Sequence, residues 1–275
     1  MKTTSTRRPA FTLVEMLVVI LIMSILVTLV TLGVTRAMRF ASEVGTKTEM
    51  AQIEQALGVA ALDLGRVPYM PSYIVLKKKP SQYDMTNQWH TMSRRLLQTM
   101  FPNWDGSVDA GWPDTTLNAT QAYVFFLGGM NGTEGFNAKD PNPTLSGGKR
   151  KGPYFNFKPD RLVPDATKPG ICSFKDYWNN NTYLAVYSSQ MVASGTLPPN
   201  ETPTNYPGRQ TSKANTLYMP KGYQIFAAGK DGKWGASGGG AGQYGQAAFN
   251  GLLTNDGEDD QCNFSESPLG KPIND

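Results

Sequence analysis

One acidic side chain stands where an acid is costly. Glu15 is the only charge between Phe11 and Gly33, and no ionisable residue follows it from Met16 to Thr35. A carboxylate inside an apolar helix costs ~2.5–3.5 kcal/mol even on lenient insertion scales, so such a residue is a functional candidate by default. Its natural partner is an amino group, and a chain cut between Ala10 and Phe11 would carry one a single helical turn away. The plainer alternative is a side chain that snorkels to an interface. A second set of acids lies far downstream, Asp231 in Gly229-Lys230-Asp231-Gly232 and the run Asn255-Asp256-Gly257-Glu258-Asp259-Asp260. Ordinary turn chemistry accounts for an Asp-Gly pair in both places. The single histidine, His90, has no second histidine to share a zinc ion and no nucleophile signature beside it, and Cys172 and Cys262 form no C-x-x-C pair. The residues point to no catalysis.

The element that positions Glu15 is one long helix. Twenty uncharged residues suffice to cross a bilayer core. Beyond them Arg36, Arg39, Glu43, Lys47 and Glu49 alternate with an apolar stripe at Ile53, Leu57, Ala60, Ala61 and Leu64, the spacing of an amphipathic helix. Gly65 and Pro68 end it. At ~1.5 Å per residue, a helix over 11–65 would be roughly 80 Å long, with its transmembrane half at about 11–35. Ahead of it, residues 1–10 are short, polar and basic, with Lys2, Arg7 and Arg8. A secretory signal places its cleavage site after the apolar run; here the small-residue junction, Ala10–Phe11, precedes it. The basic leader stays in the cytoplasm by the positive-inside rule, so the rest of the chain faces outward.

After the first 65 residues, 210 of the 275 remain, enough for one globular head over 66–275 with a real core. The leader holds three of the 26 basic residues and none of the 22 acidic ones, so the processed chain is nearly neutral and no nucleic-acid partner is expected. The head is rich in glycine and proline. It reads as short helices near 91–100 and 118–127, and strands at 154–157, 174–177, 182–187 and 223–228, the last two side by side, with 73–76 a short apolar stretch. Residues 128–153 read as loop, and the lysine run 77–79 and the cluster 149–151 as solvated surface. In an oxidising compartment Cys172 and Cys262 can pair, which would stabilise the head by roughly 4–5 kcal/mol; the alternative is two buried free thiols.

The leader, the start Phe11-Thr12-Leu13-Val14-Glu15 and the long helix resemble the N-terminus of type IV pilins and type II secretion pseudopilins, closely over residues 7–65. The resemblance implies an α+β, pilin-like fold, with the long helix packed on an antiparallel sheet. It implies cleavage by a prepilin peptidase between Ala10 and Phe11, N-methylation of Phe11, and a role for Glu15 in assembly. The expected partners are copies of the chain, other pilin-like subunits, an inner-membrane assembly platform driven by a cytoplasmic ATPase, and membrane lipid. The expected location is the inner membrane, single-pass, with the head in the periplasm or outside. The stretch Ile225 to Gly235 resembles the calcium loop of the major pseudopilin, which makes Asp231, Asp256, Glu258, Asp259 and Asp260 candidate calcium ligands. A secretion pseudopilin is the leading expectation. The alternatives are a type IV pilin for adhesion, motility or DNA uptake, and a membrane-tethered enzyme or binding protein.

Overall fold

The computed structural model describes residues 12–137, 139–178, 183–193, 219–233 and 259–265. The chain divides into two compact units, 1–44 and 45–275. Helix α1, Leu13–Asp63, begins in the first and ends in the second.

Through the first unit every described residue up to Ala41 is exposed, and leucine, isoleucine, valine and methionine make most of that surface. The helix is long and apolar enough to cross a membrane. Its few polar side chains are compatible with lipid because each satisfies itself. Ser24 Oγ donates to the Ile20 carbonyl at 2.6 Å, Thr28 Oγ1 to Ser24 at 2.8 Å, Thr31 Oγ1 to Val27 at 2.8 Å and Thr35 Oγ1 to Thr31 at 3.0 Å. These bonds to the carbonyl one turn back leave no hydroxyl to be desolvated alone.

The second unit, the head, contains the rest of α1 and a mixed α+β body. Here one stripe of α1 is buried: Thr46, Glu49, Met50, Ile53, Ala56, Leu57, Ala60 and Ala61. That spacing of three and four places them on one face. Gly45 lets the Tyr177 ring pack against the helix backbone, since a Cβ there would come within 2.7–3.0 Å of its ring carbons. At the other end Gly65 takes φ 101° and the Val67 amide reaches back to the Ala61 carbonyl at 3.0 Å, closing the helix where the sequence places the stop. Asp63 is an acid at a helix C-terminus, where the dipole disfavours it. Lys151 compensates, donating to the Asp63 carbonyl and lying 4.0 Å from its carboxylate, and the Tyr154 hydroxyl donates to Asp63 Oδ2 at 2.6 Å. The 149–151 cluster is therefore partly structural. Arg150 likewise donates to the Leu145 carbonyl at 2.7 Å and the Gly135 carbonyl at 2.8 Å.

The expected α+β fold with antiparallel pairing is present, and among the described residues the pairing is divided over four small sheets. β1 (Ile74–Leu76) pairs with β2 (Thr115–Leu117), β3 (Phe136–Asn137) with β4 (Arg150–Lys151), and β5 (Leu162–Pro164) with β6 (Cys172–Phe174). The fourth joins β7 (Ala185–Ser188), β8 (Tyr223–Ala227) and β9 (Gln261–Cys262), all antiparallel. Pairing of the 182–187 and 223–228 stretches is as expected; the hairpin β3–β4 inside 128–153 is not, because its strands are only two residues each. Residues 154–157 form no strand. Phe155 and Phe157 instead turn their rings onto Phe174, at 6.2 and 5.0 Å between centroids.

Helices α2 (Gln88–Met100) and α3 (Ala122–Gly128) pack on these sheets, and α4 (Ser189–Ala193) follows β7. Asn87 caps α2, its Oδ1 accepting from the Trp89 and His90 amides at 2.9 and 3.3 Å. The aromatic centre is Phe101, Trp104, Trp112, Phe125 and Phe136, with neighbouring centroids 4.9–5.9 Å apart. The two indoles donate to the Lys78 and Lys77 carbonyls at 3.2 and 2.9 Å, while Lys77 Nζ pairs with Asp114 at 2.6 Å. The lysine run thus frames the core with its backbone and is only in part a solvated loop.

Candidate functional site

The first site is the start of α1. Thr12 and Glu15 are three residues apart and cap each other. The Thr12 amide and hydroxyl donate to Glu15 Oε2 at 2.8 and 2.9 Å, and the Glu15 amide donates to Thr12 Oγ1 at 3.2 Å. This is a capping box, which satisfies donors that a helix start otherwise leaves open. The signal was legible as Thr-x-x-Glu ahead of an apolar run. Glu15 is exposed and bonds with no residue beyond Thr12 among the hydrogen bonds of the described residues. Ala10 and Phe11, the expected cleavage junction, lie outside the described residues.

The second is the turn after β8. β8 and β9 pair with Ala227 opposite Gln261, so the residues just past β8 face those just before β9. Asp259 Oδ2 accepts from the Lys230 and Asp231 amides at 2.6 and 3.0 Å, and Asp231 Oδ1 accepts from the Lys233 amide at 2.8 Å. Gly229, at φ 67°, has no room for a Cβ against the Asp259 backbone. Strand pairing thus joins two stretches that are 28 residues apart in the chain. Asp256 and Glu258 lie outside the described residues, and Asp260 is fully buried. Two carboxylates in adjoining turns fit part of an oxygen-rich cation site. Among the described residues no three acidic, histidine or cysteine side chains gather as a metal cluster.

Cys172 and Cys262 are both free and buried, and the expected disulfide is not formed. One lies on β6 and the other on β9, in separate sheets, so no ladder sets them opposite each other. Burial raises both thiol pKa values, that of Cys262 to about 12. His90 is structural, its Nδ1 accepting from the Asp84 amide at 3.2 Å.

The third feature is the anchor of α1 to the head. Glu49 is met by Arg161 in a two-pronged ion pair, Nη1 to Oε1 at 2.8 Å and Nη2 to Oε2 at 2.5 Å, with the side chains only 10% and 6% exposed. The guanidinium also donates to the Lys175 carbonyl at 2.7 Å and lies 4.3 Å from the Phe174 ring centroid. Arg161 is placed by the turn Pro159–Arg161 that leads into β5. The sequence signal was an acid on the buried stripe, since Glu49 falls three residues after Thr46 and four before Ile53. Reading Glu49 as one of the polar residues alternating with the stripe missed it. A second tie is Lys47, whose ammonium donates to the Cys262 carbonyl at 2.6 Å and to that of Ser265.

Residues 6–31 match the family model described as the prokaryotic N-terminal methylation motif. The chain therefore carries the prepilin-type N-terminus of type IV pilins and pseudopilins. With the long apolar helix and small antiparallel sheets, this supports a pilin-like or pseudopilin subunit that is anchored in a membrane. No curated protein and no solved structure matches the chain.

Proposed function

We propose that this chain is a structural subunit of a pilus-like fibre, of the type II secretion pseudopilin kind. The observation that carries this is the methylation motif over 6–31, set on a helix whose apolar half is exposed among the described residues. A prepilin peptidase cuts between Ala10 and Phe11, and the new Phe11 amine is methylated. The subunit waits in the inner membrane with its head outside. It then leaves lipid for the fibre, where copies of the chain and other pilin-like subunits cover the exposed face of α1. No reaction is assigned to it. Mass spectrometry of the purified protein after native alkylation tests this. The expected species begins at methylated Phe11, with Cys172 and Cys262 unlabelled until the chain is unfolded. A retained Met1 overturns the reading in favour of a simple tether.

The turn after β8 favours the secretion kind over a type IV pilin for adhesion, motility or DNA uptake. There Asp231 and Asp259 would hold calcium, with Asp256, Glu258 and Asp260 as further candidate oxygen donors. Calcium in place of a chelator should raise the melting midpoint of the full chain by several degrees, about 5 °C for tight binding. Asp231→Ala should abolish that rise. Equal midpoints with and without calcium end the calcium reading and leave the fibre reading standing.

A further inference from the structure

We propose that a groove on α2 is a docking site for a carboxylate-bearing segment of a partner protein, with Arg94 and Arg95 as its charged contacts. The groove is open, about 510 Å3, and is lined by Met85, Thr91, Arg94, Arg95, Gln98 and Thr99.

The argument starts from Arg94, which is held at a cost. It is half-buried, its Nε is enclosed without a hydrogen-bond partner, and Nη1 donates to the sulfur of Met85 at 3.3 Å. A thioether is a weak acceptor. A buried donor left unmade costs more than a typical hydrogen bond gains, and more again when the group is charged. Elsewhere in the head several cations are answered by carboxylates. Lys77 meets Asp114, Lys151 meets Asp63, and Arg161 meets Glu49. Among the described residues no carboxylate pairs with Arg94, Arg95 or Arg66. Gly65, the residue before Arg66, abuts the Thr99 carbonyl at the end of the groove. The nearest acids along the chain are engaged, Asp84 by the Thr86 hydroxyl at 2.6 Å, Asp105 by the Ser107 amide at 2.8 Å and Asp63 by the Tyr154 hydroxyl at 2.6 Å.

The chemistry of the lining selects the occupant. Guanidinium forks on adjacent residues match carboxylates in paired hydrogen bonds. Thr91, Gln98 and Thr99 offer neutral hydrogen-bonding groups to a backbone, and Met85, 53% exposed, offers an adaptable apolar edge. A nucleic acid strand would call for a longer cationic track with exposed aromatic platforms. An anionic membrane would call for a cluster of about 4–8 basic residues. The groove has neither.

The test uses the full chain in zwitterionic nanodiscs and a fluorescein-labelled hexaglutamate peptide, read by anisotropy at low and at physiological salt. The peptide should bind, weaken with salt, and lose about tenfold or more in affinity to Arg94→Gln/Arg95→Gln. Arg94→Lys should lose several-fold despite its charge, and Lys78→Gln, outside the groove lining, should bind as the parent does. A second measurement guards against misfolding. Arg94→Met removes the unanswered donor, so its melting midpoint should equal or exceed the parent's. Absence of peptide binding, or binding indifferent to both arginines, overturns the proposal. So does tighter arginine-dependent binding of oligothymidylate or of phosphatidylglycerol vesicles. A midpoint lowered by several degrees in Arg94→Met assigns the arginine to folding and overturns it as well.

Discussion

Replacing Arg161 with alanine lowers the stability of the head by about 3–5 kcal/mol, and Glu49→Ala has a loss of the same order. Each single change leaves one ion enclosed without its partner, and the price of that ion outweighs the packing lost with the other. Arg161→Ala also strips a donor from the Lys175 carbonyl and a cation from the face of Phe174. The double replacement Glu49→Leu/Arg161→Met should recover most of the loss, because apolar groups of similar volume pay no desolvation. Tyr123→Phe is the internal control. The Tyr123 hydroxyl is fully buried beside Glu49, Arg161 and Asp176, and among the described residues it has no hydrogen-bond partner. Its removal should be neutral or mildly stabilising. Urea unfolding followed by tryptophan fluorescence reads all four variants, since the five tryptophans are all beyond residue 65. Single replacements that cost under about 1 kcal/mol would mean the pair is hydrated and the anchor lies elsewhere.

That pair also marks the boundary of what the sequence discloses. Periodicity reveals α1, its stop at Gly65, and the neighbouring strands β7 and β8, because each is set by spacing along a single stretch. The motif at Glu15 is equally local. What holds α1 to the head is not local. Arg161 is 112 positions from Glu49, and its guanidinium is aimed by a turn whose own sequence, Pro159-Asp160-Arg161, reads only as a bend. The same holds for Lys151 at the end of α1 and for Asp259 on the Lys230 amide, each a long-range contact made by a residue that looks like surface charge. Two-residue strands such as β3 and β4 have too little alternation to register as strands at all. Misreading 154–157 has the opposite cause: alternating aromatics satisfy the strand pattern, but their burial against Phe174 outweighs it. The thiols show the limit of compartment arguments, since an oxidising side permits a bond that placement in separate sheets does not make.

Glu15→Gln separates the capping that Glu15 performs at the start of α1 from the assembly role proposed for it. The amide side chain keeps an oxygen for the Thr12 amide and hydroxyl, so the capping box survives and the helix enters the membrane as before. The negative charge does not survive. If Glu15 serves only as a cap, Glu15→Gln assembles normally and Glu15→Ala is impaired through fraying. If its charge answers the amine of a neighbouring Phe11 when subunits stack, both variants fail alike. We expect the second result. Loss of a charge pair in an apolar setting is worth about 3 kcal/mol, about a hundredfold in association per contact, and a fibre repeats that contact at every subunit. Thr12→Ala completes the logic, because it weakens the cap and leaves the charge intact. It should slow assembly by only the several-fold that about 1 kcal/mol of capping allows. Membrane fractions and sheared fibres, quantified side by side for the three variants, decide the matter. Normal fibre yield from Glu15→Gln would transfer the whole role of Glu15 to the helix start and leave subunit register to be set by the heads.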